Sequence, residues 1–136
     1  MRVVLDSNVL LSAMISANGA PATIHRAWRA RRFVLVTSGH QLEELRRASR
    51  YPKFAAILQP HRVGTMINNL QRAVVLDRLP EGEDADDPND SFLIAMAAAG
   101  AADVLVTGDS RAGLLKRRRI GSTRIMTPAE FCAELG

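Results

Sequence analysis

The sequence is poor in cysteine, in aromatic side chains and in long apolar runs, and each shortage excludes a class of protein. Its single cysteine, Cys132, allows no disulfide within the chain and no cysteine-based metal site. Aromatic residues make up 4% of the chain, too few for a module that binds nucleic acid mainly by stacking bases on aromatic side chains. The apolar N-terminal stretch is interrupted by Asp6, Ser7, Asn8 and Ser12. This pattern excludes a signal peptide and a membrane span and predicts a soluble, cytoplasmic protein.

What the sequence has in excess is arginine. Only two of its 18 basic residues are lysines, Lys53 and Lys116, and the net charge is +4. Seven of the 14 acids fall within residues 77–90, so the rest of the chain carries 17 basic and 7 acidic residues, a net charge of +10. Because the planar guanidinium group matches phosphate well, this separation of charge predicts a polyanionic partner and a separate use for the clustered acids.

Length and hydrophobic patterning predict one α/β domain over residues 1–136. Five short and nearly continuous apolar runs alternate with stretches of helical spacing, which is typical of parallel strands covered by helices on both faces. We predict strands at Val3–Leu5, Phe33–Thr37, Ala73–Leu76, Val104–Thr107 and Arg124–Thr127. We predict helices at Asn8–Ser16, Pro21–Arg31, Ser38–Ser49, Pro60–Gln71, Pro88–Ala99, Ser110–Arg117 and Pro128–Leu135.

Three local signals support the predicted helix ends. The spacing of Ser38 and Gln41 fits a capping box, in which each residue's side chain bonds to the other's backbone, and Thr127 and Glu130 have the same spacing. Gly100 follows the alanine-rich helix and is placed to end it.

Three aspartates are expected at the carboxyl ends of the strands, where open parallel sheets bind their ligands. Asp6 ends the first predicted strand, and Asp109 lies just past the fourth. In the common doubly wound order these two strands are neighbours, and Asp90 begins the helix that leads to the fourth strand. Each aspartate taken alone has a simpler explanation, because aspartate is a preferred N-cap.

A fourth acid comes from the helix predicted at Ser38–Ser49. On a helical wheel Leu42 and Leu45 define its inner stripe, Glu44 lies at the border beside Ala48, and Glu43 lies further round. Several carboxylates in one crevice repel one another unless a cation neutralises them. Ligation by oxygen alone suits Mg²⁺ or Mn²⁺.

Four blocks in this order resemble the PIN domain family of nucleases, and within it the VapC-like toxin components of toxin–antitoxin pairs. The resemblance extends from Arg2 to the final helix, and the order and spacing of the blocks make it specific. The blocks are Val4-Leu-Asp6-Ser-Asn8-Val-Leu, Ser38 with Glu44-Leu45, Asp87-Pro-Asn-Asp90-Ser-Phe-Leu-Ile-Ala-Met-Ala97, and Ala102-Asp-Val-Leu-Val-Thr-Gly-Asp109.

The resemblance implies a PIN-like three-layer α/β/α fold with a central five-stranded parallel sheet. It implies a metal-dependent endoribonuclease that hydrolyses phosphodiester bonds of single-stranded RNA, with Mg²⁺ or Mn²⁺ as cofactor. The family's acidic quartet, which is both catalytic and metal-binding, falls on Asp6, Glu44, Asp90 and Asp109. The family's supporting polar positions fall on Asn8 and Thr107, and the alternates for the second and third acids are Glu43 and Asp87.

Basic residues are the candidate RNA contacts, and the resemblance also implies protein partners. Arg111 lies one turn from the predicted site, and Lys116 and Arg117 belong to a basic run that a solvated helix end also explains. Members of the family bind an antitoxin and form homodimers, and arginines of the early helices are candidates for such contacts.

Three other functions stay open at this point. One is a PIN nuclease that processes RNA without an antitoxin, and another is a catalytically silent RNA-binding module. The third is a phosphohydrolase or phosphoreceiver with an aspartate nucleophile, which the Asp6-Ser7-Asn8 motif and the position of Lys116 disfavour.

Overall fold

The computed structural model describes residues 1–79, 88–108 and 113–136, with the backbone alone at 88–90. In these ranges the strands are β1 (Arg2–Leu5), β2 (Val34–Ser38), β3 (Val74–Leu76), β4 (Val104–Val106), β5 (Arg119–Ile120) and β6 (Thr123–Met126). The helices are α1 (Ser7–Ile15), α2 (Ala20–Arg29), α3 (Gly39–Ser49), α4 (Pro52–Ala55), α5 (Pro60–Leu70), α6 (Pro88–Ala99), α7 (Leu114–Arg117) and α8 (Pro128–Leu135). None of these helices combines the length and the apolar content that crossing a bilayer requires.

The strands form a single sheet in the order β3-β2-β1-β4-β6-β5. All neighbouring pairs are parallel except β5 with β6. The chain builds outward from β1 to β3 and then returns to place β4 beside β1, with Leu5 opposite Val106. The predicted adjacency of the first and fourth strands is therefore confirmed, and the carboxyl ends of β1 and β4 meet at one edge of the sheet.

Helices cover both faces of the sheet, which explains the continuous apolar character of the strands. In β1 the side chains alternate between the faces: Val3 and Leu5 pack into a core with α1, α2, α3, α5 and α8, whereas Val4 packs into a second core with α6. Each of these three side chains is at most 2% exposed. The three-layer α/β/α architecture is confirmed.

Two short elements of the described fold were not predicted. The sheet has a sixth strand, β5, which pairs antiparallel with β6 across a turn at Gly121, so the predicted five-stranded parallel sheet is one strand too small. The single-turn helix α4 follows α3 where we predicted no element. Two to four residues carry too little periodicity to be recognised in a sequence.

The two predicted capping boxes have different outcomes. Thr127 and Glu130 form the complete capping box, with each side chain bonded to the other residue's backbone N–H. The hydrogen bond from the Thr127 backbone N–H, and next to it the bond from Arg118, lower the pKa of Glu130. Ser38 accepts a hydrogen bond from the Gln41 backbone at 3.1 Å, but the Gln41 side chain does not return to Ser38. The second box is therefore only half formed.

Gly100 follows the last residue of α6, as predicted, but for a different reason. The left-handed residue of this helix end is Ala101, with φ of 51°, and its neighbours make the bonds of a Schellman motif: Ala101 N–H to Ala98 C=O and Ala102 N–H to Ala97 C=O. A Cβ at Gly100 would lie 2.5 Å from Cγ1 of Val36. Glycine is thus required here because the helix end lies against β2.

Alanine and glycine at these two neighbouring positions are expected to have opposite effects on stability. Gly100→Ala forces a methyl group against Val36, and such overpacking costs about 1–3 kcal/mol in the free energy of unfolding. Ala101→Gly relieves a left-handed alanine and raises that free energy by about 1 kcal/mol. Urea unfolding of both variants measures the two changes. Equal stability of Gly100→Ala and the wild type would contradict the close approach of α6 to β2.

Candidate active site

Asp6 is a buried carboxylate at the junction of β1 and α1. It is 2% exposed, and its backbone N–H donates to Val106 C=O of β4 at 2.9 Å. Its Oδ1 accepts a hydrogen bond from the Asn8 backbone N–H at 3.1 Å, so Asp6 is the N-cap of α1. An ionised carboxylate can accept about four hydrogen bonds, so a capping role is compatible with metal binding.

Thr107 holds the other oxygen of the same carboxylate. Its hydroxyl donates to Asp6 Oδ2 at 2.8 Å, and it is 1% exposed. The parallel register that places Leu5 opposite Val106 brings these next residues side by side. The Thr107 backbone N–H in turn donates to Met126 C=O of β6 at 3.0 Å. Three adjacent strands therefore fix the position of the Asp6 carboxylate.

Gln41 is a buried polar residue that the sequence analysis did not assign to this edge. Its Nε2 donates to Leu5 C=O at 2.7 Å and lies 3.3 Å from the Ser7 hydroxyl, and its Oε1 accepts from the Thr37 hydroxyl at 2.6 Å. One side chain thus joins the end of β2 to the residues on both sides of Asp6. The sign of its burial in the sequence is helical spacing, since Gln41 lies four residues before the buried Leu45 and so shares the inner face of α3.

The neighbouring glutamates of α3 have different surroundings. Glu43 Oε1 lies 2.5 Å from Nη1 of Arg46, and its side chain is 65% exposed. Glu44 is half-buried and borders a cavity of about 300 Å³. We call this cavity the α1–α3 groove; its walls are Ser7, Asn8 and Leu11 of α1 and Glu44, Arg47 and Ala48 of α3. Glu44 therefore faces the residues that directly follow Asp6.

The other acidic positions lie beyond what the structure describes. The backbone of Asp90 belongs to the first turn of α6, which packs on β1, β2 and β4, but its side chain is outside the described residues. Asp87, Asp109 and Arg111 lie outside them entirely. Within the described residues, Asp6 is therefore bonded to Asn8 and Thr107, and Glu44 lines one groove together with Asn8.

Comparison with known proteins assigns the chain to a protein family. The family model described as the PIN domain matches residues 2–111. The chain belongs to the PIN domain family. No curated protein sequence matches it.

The fold of this PIN domain is similar to a chain in a solved complex. That chain belongs to the crystal structure of VapBC2 from Rickettsia felis bound to a DNA fragment from their promoter. The TM-score is 0.61 at 17% sequence identity, and the match covers 93% of this PIN domain and 98% of the other chain. At this identity the similarity concerns the fold.

The described donors of the PIN domain suit a hard divalent cation. Asp6 and Glu44 contribute carboxylates, and Mg²⁺ and Mn²⁺ prefer such oxygen ligands. No group of three or more His, Cys, Asp and Glu side chains within the described ranges could hold a metal ion. The side chains of the other two predicted ligands, Asp90 and Asp109, lie outside the described residues.

The basic run of the PIN domain lies between β4 and β5 in the chain. Lys116 and Arg117 form the end of α7 and are exposed. Arg118 takes a left-handed backbone with φ of 59°, and its Nη1 lies 2.9 Å from both carboxylate oxygens of Glu130 in α8. Part of this run therefore has a structural role, since Arg118 joins α7 to α8.

Proposed function

We propose that this chain is a divalent-metal-dependent endoribonuclease that hydrolyses phosphodiester bonds of single-stranded RNA. The observation that carries the proposal is the buried Asp6 carboxylate, fixed by Thr107 at 2.8 Å where β1 and β4 of a PIN domain end, next to a cavity bordered by Glu44. Helix capping accounts for only one of the two carboxylate oxygens, since Thr107 and not α1 binds the other.

In this proposal Asp6, Glu44, Asp90 and Asp109 hold Mg²⁺ or Mn²⁺. When bound, such an ion polarises the scissile phosphate and stabilises charge on the leaving oxygen. Thr107 and the Asn8 backbone each bind one oxygen of Asp6, so the carboxylate is oriented before any ligand arrives. Gln41 keeps the ends of β1 and β2 together. No protein nucleophile is required.

We further propose that the chain is the toxin of a toxin–antitoxin pair, acts in the cytoplasm and forms a homodimer. The fold similarity to a chain of the VapBC2 structure supports the antitoxin partner. A neighbouring reading frame that encodes a small protein able to bind this chain and block cleavage is the expected finding. Its absence would favour an RNA-processing PIN nuclease.

Metal dependence is the direct test of the nuclease proposal. We expect the purified chain to cleave a randomised pool of end-labelled single-stranded RNA in Mg²⁺ or Mn²⁺. Chelation with EDTA should slow cleavage by at least about tenfold, and excess Mg²⁺ should restore it, because the carboxylates alone supply no electrophile.

The same assay separates the proposal from its rivals. Cleavage that persists in EDTA would contradict the metal mechanism. RNA binding without cleavage in either metal would favour a silent binding module, and single-stranded DNA in a parallel reaction checks the preference for RNA.

A further inference from the structure

The α1–α3 groove extends away from the acidic residues toward two aromatic side chains. Tyr51 and Phe54, which follow α3 in the chain, also line it. Glu44 and Arg47 are three residues apart on α3, so they occupy successive turns of the same helix face, about 4.5 Å apart along the axis. The groove therefore runs from Glu44, a candidate metal ligand, to an arginine and then to aromatic rings.

Arg47 is an exposed cation on the wall of this groove. Within the described ranges it forms no salt bridge and its side chain donates no hydrogen bond, whereas its neighbour Arg46 is paired with Glu43. A second cation lies close by, since the Lys53 ammonium is 5.0 Å from the centre of the Phe54 ring. Cations this close to a phosphodiesterase site are suited to bind the flanking backbone phosphates.

Tyr51 presents its aromatic ring to solvent at the far end of the groove. It is 58% exposed, and in the described part of the chain its ring has no stacking partner. Its backbone has a structural role, because its carbonyl accepts from the N–H groups of Phe54 and Ala55 at the start of α4. The ring itself is not needed for those bonds.

We propose that the α1–α3 groove binds the nucleotide next to the scissile phosphate, with its base stacked on Tyr51 and a backbone phosphate on Arg47. The inference rests on the proposed ribonuclease function and adds a substrate subsite to it. Base stacking on an aromatic side chain tolerates any base, so the subsite increases affinity for unpaired strands and excludes duplex, whose bases are already stacked. The 4% of aromatic residues is too low for a stacking platform but sufficient for one anchor.

Substitutions at Tyr51 and Arg47 test the subsite in Asp6→Asn protein, a variant expected to bind RNA without cleaving it. In full-length Asp6→Asn protein, fluorescence anisotropy with labelled single-stranded RNA measures affinity. Tyr51→Ala should weaken binding by about 5- to 100-fold, and Tyr51→Phe should bind as tightly as tyrosine because it keeps the ring. Arg47→Ala should also weaken binding and should reduce its dependence on salt, because one phosphate contact is lost.

Matched controls remove the same charge or a similarly exposed apolar side chain elsewhere. Arg29→Ala on α2 has the same charge change as Arg47→Ala, and Ile57→Ala removes a side chain that is 56% exposed. Both should bind RNA as the parent does. Equal losses in Arg29→Ala and Arg47→Ala would show a general charge effect and overturn the subsite.

An abasic substrate provides a readout that misfolding of a variant cannot mimic. An RNA with one abasic position beside the cleavage site should bind the parent and Tyr51→Phe more weakly than intact RNA. For Tyr51→Ala, the abasic RNA and the intact RNA should bind with equal affinity, because this variant already lacks the ring on which the base stacks. If the wild type cleaves RNA but no abasic position distinguishes these variants, the subsite is wrong and the nuclease proposal stands. If the wild type neither cleaves nor binds RNA, both fail together.

Discussion

Replacing Asp6 by asparagine is expected to lower kcat/KM for RNA cleavage by about a thousandfold, because a metal ligand contributes several kcal/mol to transition-state stabilisation. Asparagine is nearly isosteric and is also a good N-cap, so Asn8 N–H keeps an acceptor and α1 keeps its start. The amide NH₂ then faces Thr107 in place of the second carboxylate oxygen, and the Thr107 hydroxyl oxygen can accept a hydrogen bond from it. The substitution therefore removes the negative charge and little else.

Two quantities are measured for Asp6→Asn and for the wild type: kcat/KM for RNA cleavage and the melting temperature. Asp103→Asn is the matched control, since Asp103 lies at the opposite end of β4, where its Oδ2 accepts from the Arg2 backbone N–H at 2.8 Å. This control removes one carboxylate from the opposite edge of the same sheet without touching the candidate site, and it should retain full activity. Full activity in Asp6→Asn would refute the metal site, whereas a large drop in its melting temperature would indicate a mainly structural carboxylate.

The second large effect is expected at Glu44, where a glutamine should lower kcat/KM by about a hundredfold and raise the Mg²⁺ concentration needed for half-maximal activity. Glu43→Gln is a control one residue away with the same loss of charge. It breaks only the exposed ion pair with Arg46, and such pairs contribute at most about 1 kcal/mol. Its activity and its Mg²⁺ requirement should match those of the wild type.

The two glutamates make the comparison decisive, because net charge and helix propensity change equally in both variants. The opposite order of effects would mean that Glu43 leaves Arg46 to bind metal, and the assignment on α3 would have to be reversed. Equal and small effects would remove α3 from the metal site and leave Asp6, Asp90 and Asp109 as the candidate ligands.

The fold was predictable from the sequence where long-range packing leaves a local trace. Val3, Val4 and Leu5 are apolar in succession because both faces of β1 are covered, and this pattern identifies a central parallel strand. The position of Glu44 beside Ala48 was also predictable, since the helical period alone places both residues on one side of α3. The structure has both lining the same groove.

Features that depend on a distant partner could not be predicted. Gln41 has the spacing of a capping box, but its side chain instead reaches Leu5 C=O, 36 positions earlier in the chain. Gly100 looks like a left-handed helix terminator, but its requirement comes from Val36 on another strand. In both cases a local rule identified a special residue correctly and gave the wrong reason, because the deciding contact is tertiary.

The bond between Thr107 and Asp6 joins residues 101 positions apart, and this separation has a consequence during protein synthesis. When β1, β2 and β3 have been synthesised, the Asp6 carboxylate still lacks β4 and the Thr107 hydroxyl that follows it. The hydroxyl that fixes Asp6 emerges only after β4, and its own backbone anchor, Met126, emerges later still. Under the proposed ribonuclease function, unfinished chains that lack Thr107 are therefore expected to be inactive on RNA.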